Sequence, residues 1–323
     1  MAELSQGATV ALAAVLGLMV GSFLNVVVYR LPVMMRRGWL AETLVNLKPD
    51  PDMPTLWTEV FGTATPPPPH LEEAASQGLE QVETLPSFSL VLPRSRCGGC
   101  GQTIAWYQNI PVLSWFALRG RCAGCGTGIS LRYPLVEAFT GGLFALCAWR
   151  WGVTPVAGLW IVFGSLLICQ FLIDLDTQYL PDTPNYLLLW LGLGGAALGW
   201  TGVPLSMAVW GAIAGYLCLW IVYQAYLLLT GKEGFGGGDF KLLAALGACL
   251  GADHLILIVL LSSVAGGIVG IGLALTRRLS GQAARNMRMA FGPFLAGAGL
   301  LCLAIGPQQV RSWLPFAFPF PLP

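Results

Sequence analysis

Charge is what this sequence has least of. Only 10% of its 323 residues are Asp, Glu, Lys or Arg, against 55% hydrophobic. A soluble domain carries roughly a quarter of its residues as charges, so a solvated globular surface is excluded. The formal net charge is +1, so no basic excess points to nucleic acid as a partner. Short alternating segments, the mark of a membrane β-barrel, are missing too, because the apolar runs are continuous. The first apolar run, about residues 8–30, lacks a basic region ahead of it, and its flanking Arg30, Arg36 and Arg37 follow it. That order argues against a secretory signal and for a retained first helix with its N-terminus outside the cytoplasm. No internal repeat is visible, and no G-x-G-x-x-G dinucleotide fingerprint occurs in a strand-to-helix context.

What is present is a set of apolar runs near the roughly 20 residues that span a bilayer. They lie at about 8–30, 134–150, 155–173, 184–201, 205–230, 254–276 and 289–306, with a shorter one at 240–251. By length alone the short run is either a crossing or a re-entrant or tilted segment. Counted as a crossing, it puts fifteen of the seventeen Lys and Arg residues on the inner side, leaving only Arg150 and Arg311 outside. That asymmetry follows the positive-inside rule, and the short 277–288 loop carries Arg277, Arg278, Arg285 and Arg288 of it. The expected fold is therefore an all-α polytopic bundle of about eight spans with a small cytoplasmic zinc-ribbon-like domain. Its expected parts are a first transmembrane helix (1–30), a cytoplasmic segment (31–133), a membrane core (134–306) and a C-terminal tail (307–323). Within the cytoplasmic segment, residues 38–90 hold "PDPDMP" and "TPPPPH" and read as linker with short helices.

Two C-x-x-C pairs, Cys97/Cys100 and Cys122/Cys125, stand twenty-one residues apart. Such a pair of knuckles suits tetrahedral Zn²⁺. The competing reading is a disulfide pair, which the basic, cytoplasm-facing flanks disfavour. Four thiolates leave no open position, so the expected role is structural. The other five cysteines fall in apolar runs and read as small packing residues.

Two acidic clusters remain. "LIDLDTQYLPD" (172–182) carries Asp174, Asp176 and Asp182, and "GFGGGDFK" (234–241) carries Asp239 behind three glycines. A carboxylate at bilayer depth costs on the order of 3 kcal/mol by insertion scales, so it needs a purpose or a partner. Acids at helix ends also serve as interfacial caps; Asp182 is placed to cap the fourth span, and Asp239 to cap the sixth after a glycine hinge. Both clusters sit at the same face under the topology above. Two aspartates sharing a wet cavity hold one proton between them and hydrolyse a peptide bond, one activating water and the other polarising the carbonyl.

In this order, "GSFLNVVVYRLP" (21–32), "PRSRCGGCG", "IPVLSW", "RCAGCG", "RYPLVEAFTG", "IDLDTQYLPD" and "GFGGGDFKLLAALGACLG" resemble the bacterial type IV prepilin leader peptidase/N-methyltransferase family nearly end to end. The resemblance implies an aspartic peptidase of the bacterial cytoplasmic membrane. It would cut the basic leader from prepilins or type II secretion pseudopilins after a glycine. It would then methylate the new N-terminal residue, usually phenylalanine, with S-adenosylmethionine. The catalytic pair it implies is Asp174 and Asp239, with Asp176, Asp182, Gly236, Gly238 and Lys241 in support. Glu137, at the start of the second span, stands either near the new ammonium or as a buried acid paired with Arg132. The partners implied are these substrates and membrane lipids. Two other readings compete: an ion- or proton-coupled transporter using the intramembrane aspartates, and a zinc-ribbon assembly scaffold without chemistry.

Overall fold

The computed structural model describes residues 5–48, 55–62, 64–231, 236–279 and 290–313; the side chains of residues 277–279, 311 and 313 are not described. The "PDPDMP" run, Gly234 and Phe235 of the second acidic cluster, Arg285 and Arg288, and residues 314–323 of the expected tail lie outside the described residues. Among the described residues all regular structure is helical, apart from two isolated antiparallel bridges. Four segments are long and apolar enough to cross a membrane: Gln6–Leu47, Pro155–Thr177, Leu205–Thr230 and Ala252–Thr276.

Helix α1 (Gln6–Leu47) starts at Ser5, whose Oγ accepts from the Ala8 N–H. It continues past the expected end at residue 30, through Pro32, to Leu47. At 1.5 Å per residue its length is about 63 Å, twice the roughly 30 Å hydrocarbon layer, so its second half projects beyond any bilayer its first half crosses. Two short helices, α2 (Leu56–Phe61) and α3 (Leu71–Glu83), follow in the expected linker region, and α3 packs on α1. The buried Arg30 fastens the next segment to α1, donating to Ser89 O at 2.8 Å and Pro93 O at 2.6 Å. A five-residue helix, α4 (Leu113–Ala117), lies between the cysteine knuckles.

The apolar bundle is built from α5 (Arg132–Trp151), α6 (Pro155–Thr177), α7 (Asp182–Ala197), α8 (Leu205–Thr230), α9 (Gly237–Leu250), α10 (Leu255–Leu279) and α11 (Gly292–Ile305); α12 (Pro307–Trp313) follows. With α1, these bundle helices occupy the eight segments that hydropathy marks. The α1–α5 contact is a small-residue seam of the kind that lets helices approach closely in lipid. A Cβ on Gly17 would stand 2.8 Å from Gly141 Cα, and one on Gly21 2.7 Å from Glu137 Cα. Asn25 crosses the same seam, donating to Tyr133 O at 3.2 Å.

Helix α9 is the hub. Leu242, Leu243, Ala245, Leu246, Ala248, Cys249 and Leu250 are all fully buried, and the helix packs against α7, α8 and α11. A helix wrapped by protein need not match the bilayer thickness, because its ends meet other helices rather than lipid. That accounts for a central element of only 14 residues.

Candidate active site

Three helix ends meet around the two aspartates. Asp174 lies on the last turns of α6, which closes at Gln178 in the left-handed conformation (φ 53°). Asp239 lies in the first turn of α9. Both are buried, at 4% and 6% exposure. They are close enough for the charge of Asp174 to act on Asp239. The structure thus brings the two expected catalytic residues together at one end of the bundle.

Their surroundings are few and specific. Leu180, from the turn between α6 and α7, is buried beside both. A Cβ on Gly238 would stand 2.6 Å from Leu180 Cβ, so the α9 start fits against this turn only with glycine there. Gly236 differs: its backbone φ is −79° and its nearest neighbour to an added Cβ is Asp239 Oδ2 at 3.9 Å. Its N–H interacts with the Asp239 carboxylate. Asp239 Oδ1 is buried with no hydrogen-bond partner among the described residues. An unpartnered buried carboxylate oxygen is costly unless a further group meets it.

Below Asp239 runs a polar chain that sequence reading missed. Gln170 Nε2 donates to Asn185 Oδ1 at 2.5 Å, and Asn185 Nδ2 donates to Gly238 O at 3.3 Å. Both side chains are almost fully buried, at 0% and 1% exposure. Gln170 sits one helical turn before Asp174 on α6. The signal that could have found them is a pair of amides inside otherwise apolar spans, since polar groups at such depth have partners.

The remaining candidates are placed as follows. Asp182 does not cap α7 through its side chain. It pairs with Lys241, both carboxylate oxygens lying 2.7 Å from Nζ, and so ties the two acidic clusters together. Asp176 pairs with Arg132 at 2.7 Å. The expectation that Arg132 pairs with Glu137 is therefore corrected. Arg132 turns toward α6, and Glu137 Oε2 instead accepts from the Val112 N–H at 2.7 Å. Val112 is the centre of a tight turn (φ 60°, ψ −52°) closed by Leu113 N–H to Pro111 O. That backbone region is strained for a β-branched residue. Buried Glu137 thus docks the segment between the knuckles onto α5.

The four cysteines converge as expected. All four sulfurs lie within 4.8 Å of one another, and Cys97 Sγ is 3.8 Å from Cys125 Sγ. Tetrahedral zinc with bonds of about 2.3 Å requires sulfur–sulfur edges of about 3.8 Å. The two knuckles are built alike. Cys97 N–H donates to Gln102 O and Cys122 N–H to Thr127 O. Gly101 and Gly126, each four residues after the first cysteine of its pair, share φ 71°. The Thr127 hydroxyl beside Cys125 pulls that thiol down to about 6 and the Cys100 backbone N–H lowers Cys97, while the neighbouring thiols push Cys100 up to about 11, so without a metal the cluster keeps part of its protons. Four sulfur donors at these separations fit zinc, whose binding would displace the remaining thiol protons.

A cavity of about 440 Å³, lined by Arg150, Trp151, Trp160, Trp200, Gly306 and Gln308 among others, lies away from the aspartates. It sits near the opposite end of α6, about 21 Å along the helix from Asp174. Arg150 there donates to the carbonyls of Leu303, Ala304 and Ile305, closing the end of α11.

Comparisons with known proteins converge on one family. Residues 15–151 match the model of the bacterial peptidase A24 N-terminal domain, and residues 161–271 that of the type IV leader peptidase family. A prepilin leader peptidase/N-methyltransferase of Neisseria gonorrhoeae is 44% identical, with 94% of each chain covered. Proteins of that name from Pseudomonas putida and Pseudomonas aeruginosa are 45% and 41% identical, over 94% of this chain and 93% and 92% of theirs. No solved structure matches significantly.

Proposed function

The chain belongs to the type IV leader peptidase family, and from that premise we propose that it is a membrane aspartic endopeptidase acting on prepilins or pseudopilins, and an N-methyltransferase acting on the product. The observation that carries the peptidase reading is the meeting of two buried aspartates, from separate helices, within range of each other's charge.

In the proposed reaction one of Asp174 and Asp239 is ionised and the other protonated, since like charges at close range do not both ionise easily. The ionised carboxylate takes a proton from water as its oxygen bonds to the scissile carbonyl carbon. The protonated carboxyl gives its proton to the carbonyl oxygen. Collapse of that intermediate returns a proton to the leaving nitrogen as the C–N bond breaks. Gly238 lets the start of α9 close on Leu180. The Lys241–Asp182 pair holds the two acidic segments in register.

The bundle is read as about eight spans in the bacterial cytoplasmic membrane, with the aspartate end facing the cytoplasm. The distribution of basic residues supports this orientation. It also places the cysteine loop in a reducing compartment, where four thiolates hold structural zinc and stiffen the segment that Glu137 docks. The parts proposed are the first helix, the metal-bearing cytoplasmic segment, the membrane peptidase core and the short tail. S-adenosylmethionine supplies an electrophilic methyl group when bound. Among the described residues no glycine-rich strand-to-helix turn of the dinucleotide-binding kind occurs.

The test is cleavage of a prepilin-like peptide by the purified protein and by Asp174→Asn and Asp239→Asn, with mass spectrometry of the product. Each substitution should lower cutting by about 10²–10⁴-fold while the variant stays folded. Full cutting by either would remove that residue from the catalytic pair. A methyl group on the new N-terminus of the wild-type product checks the second activity.

A further inference from the structure

Asp174 has a neighbour that no nearby sequence announces. Helix α11 begins at Gly292, with Pro293 next to it, and both residues are buried. A Cβ built on Gly292 would stand 2.5 Å from Asp174 Oδ2 and 2.6 Å from Leu180 Cδ1. Both separations are well inside any real contact. The Gly292 N–H interacts with the same carboxylate. First-turn N–H groups have no partner within their own helix and carry the positive end of its dipole.

We infer that Gly292 is a positioning residue for the peptidase reaction: the bare backbone at the start of α11 sets where the Asp174 carboxylate stands relative to Asp239. This deepens the function proposed above and rests on it. Leu180 makes the device continuous. It is gripped by Gly238 at the start of α9 and by Gly292 at the start of α11. The turn that leaves the Asp174-bearing α6 is thus held between the start of α9, which bears Asp239, and the start of α11. Other glycines of α11 do not share this. A Cβ on Gly299 would meet only the side chains of Leu246 and Leu167, and one on Gly297 only Phe171 at 3.8 Å.

A methyl group on Gly292 would force the Asp174 carboxylate away by about 1 Å to reach ordinary contact. A displacement of that size costs about a hundredfold in rate when it moves a reacting group. It leaves binding of the substrate's flanking segments largely alone.

The experiment uses the full-length protein in detergent micelles. One substrate is a peptide with a basic leader, a Gly-Phe junction and an apolar helix; the other is the same peptide already cut, so that it begins with Phe. The chains compared are wild type, Gly292→Ala, Gly297→Ala, Leu180→Ala and the double variant Leu180→Ala/Gly292→Ala. Gly292→Ala should lower the kcat of cleavage about a hundredfold. Its KM, and its methylation of the pre-cut peptide, should stay within about threefold of wild type, and Gly297→Ala should cleave normally. The double variant should be at least as slow as Gly292→Ala and at least about tenfold slower than Leu180→Ala, because the contact with Asp174 persists when the Leu180 side chain is gone. Cleavage by Gly292→Ala within threefold of wild type would overturn the inference. So would an equal fall in cleavage and methylation, or recovery of the double variant to the Leu180→Ala rate, which would make Gly292 a packing residue for Leu180. If Gly292→Ala does not accumulate, the double variant against Leu180→Ala gives the same decision. Failure of wild type to cut the peptide at all would instead count against the proposed function.

Discussion

The cysteine cluster and the aspartate pair are both convergent sites, assembled in opposite ways. The cysteines are half-exposed or exposed and stand on two similar tight turns joined by a short segment. Local backbone geometry aims their sulfurs, with little help from the bundle. The aspartates are buried at the ends of different helices, and nothing local brings them together. Packing of α6, α7, α9 and α11 does so. A site made by turns depends on its own four side chains and the turns that carry them. A site made by helix packing depends on every residue that sets the distance between the helix ends.

The largest effect that would sharpen this contrast is a separation of activities. Asp174→Asn or Asp239→Asn should lower cleavage by about 10²–10⁴-fold, the range for loss of a general acid or base. Metal content measured by elemental analysis should not change. Replacing Cys97 and Cys122 together by serine should do the reverse. Bound zinc should disappear and residues 97–125 should become open to limited proteolysis, while cleavage falls by no more than about tenfold and methylation falls further. The contrast breaks if the cysteine variant loses cleavage as completely as the aspartate variants.

The same difference explains what the sequence made legible. The four-cysteine cluster was readable because its spacing is local and its turns are written beside it in glycine. Eight helical segments were readable because hydropathy is local too. Asp174 and Asp239 were recognisable as charges out of place. Gly238, Asp182 and Lys241 were recognisable beside them, but Gly292, Gln170 and Asn185 were not. Gly292 reads as an ordinary helix start before Pro293, and nothing in residues 291–294 refers to a carboxylate on α6. Asn185 reads as one polar residue after a helix-starting proline. The end of α1 was also hidden. Pro32 and the following arginines suggest a boundary, yet the helix continues to Leu47, where contact with α3 supports its second half. The partner of Glu137 was misjudged because Arg132 is near in sequence while Val112, which holds it, is near only in space.

A middle-sized effect tests the buried polar chain. Asn185→Ala removes the link between Gln170 and the Gly238 carbonyl. Gln170 Oε1 already has no partner among the described residues, and the loss leaves Gln170 Nε2 with only a long 3.5 Å bond to Pro181 O in an apolar setting. Interhelical hydrogen bonds of this kind are worth about 1–2 kcal/mol at most, and thermal unfolding in detergent should report a loss of that size. Because Gly238 precedes Asp239, cleavage should fall about tenfold as well. An unchanged rate with reduced stability would make the chain a packing feature rather than a support of the site.

The smallest effects should come from the ion pairs. Their placement invites the opposite guess, because Lys241–Asp182 and Arg132–Asp176 both join segments around the end that carries Asp174 and Asp239. Both are well formed at 2.7 Å, but their side chains are 30–44% and 36–40% exposed. Water and salt screen such pairs, and ordering two long side chains offsets much of the attraction, so about 0.2–1 kcal/mol is the expected coupling. A double-mutant cycle on Lys241→Met and Asp182→Asn should return a coupling in that range, shrinking as salt is raised. Cleavage should change less than fivefold in either single variant, since neither residue contacts the Asp174 or Asp239 carboxylate in the hydrogen bonds each makes. A loss of cleavage as deep as that of Asp239→Asn, with stability unchanged, would move Lys241 from register-keeping into the reaction itself. It would also show that the packed site extends further toward solvent than burial alone indicates.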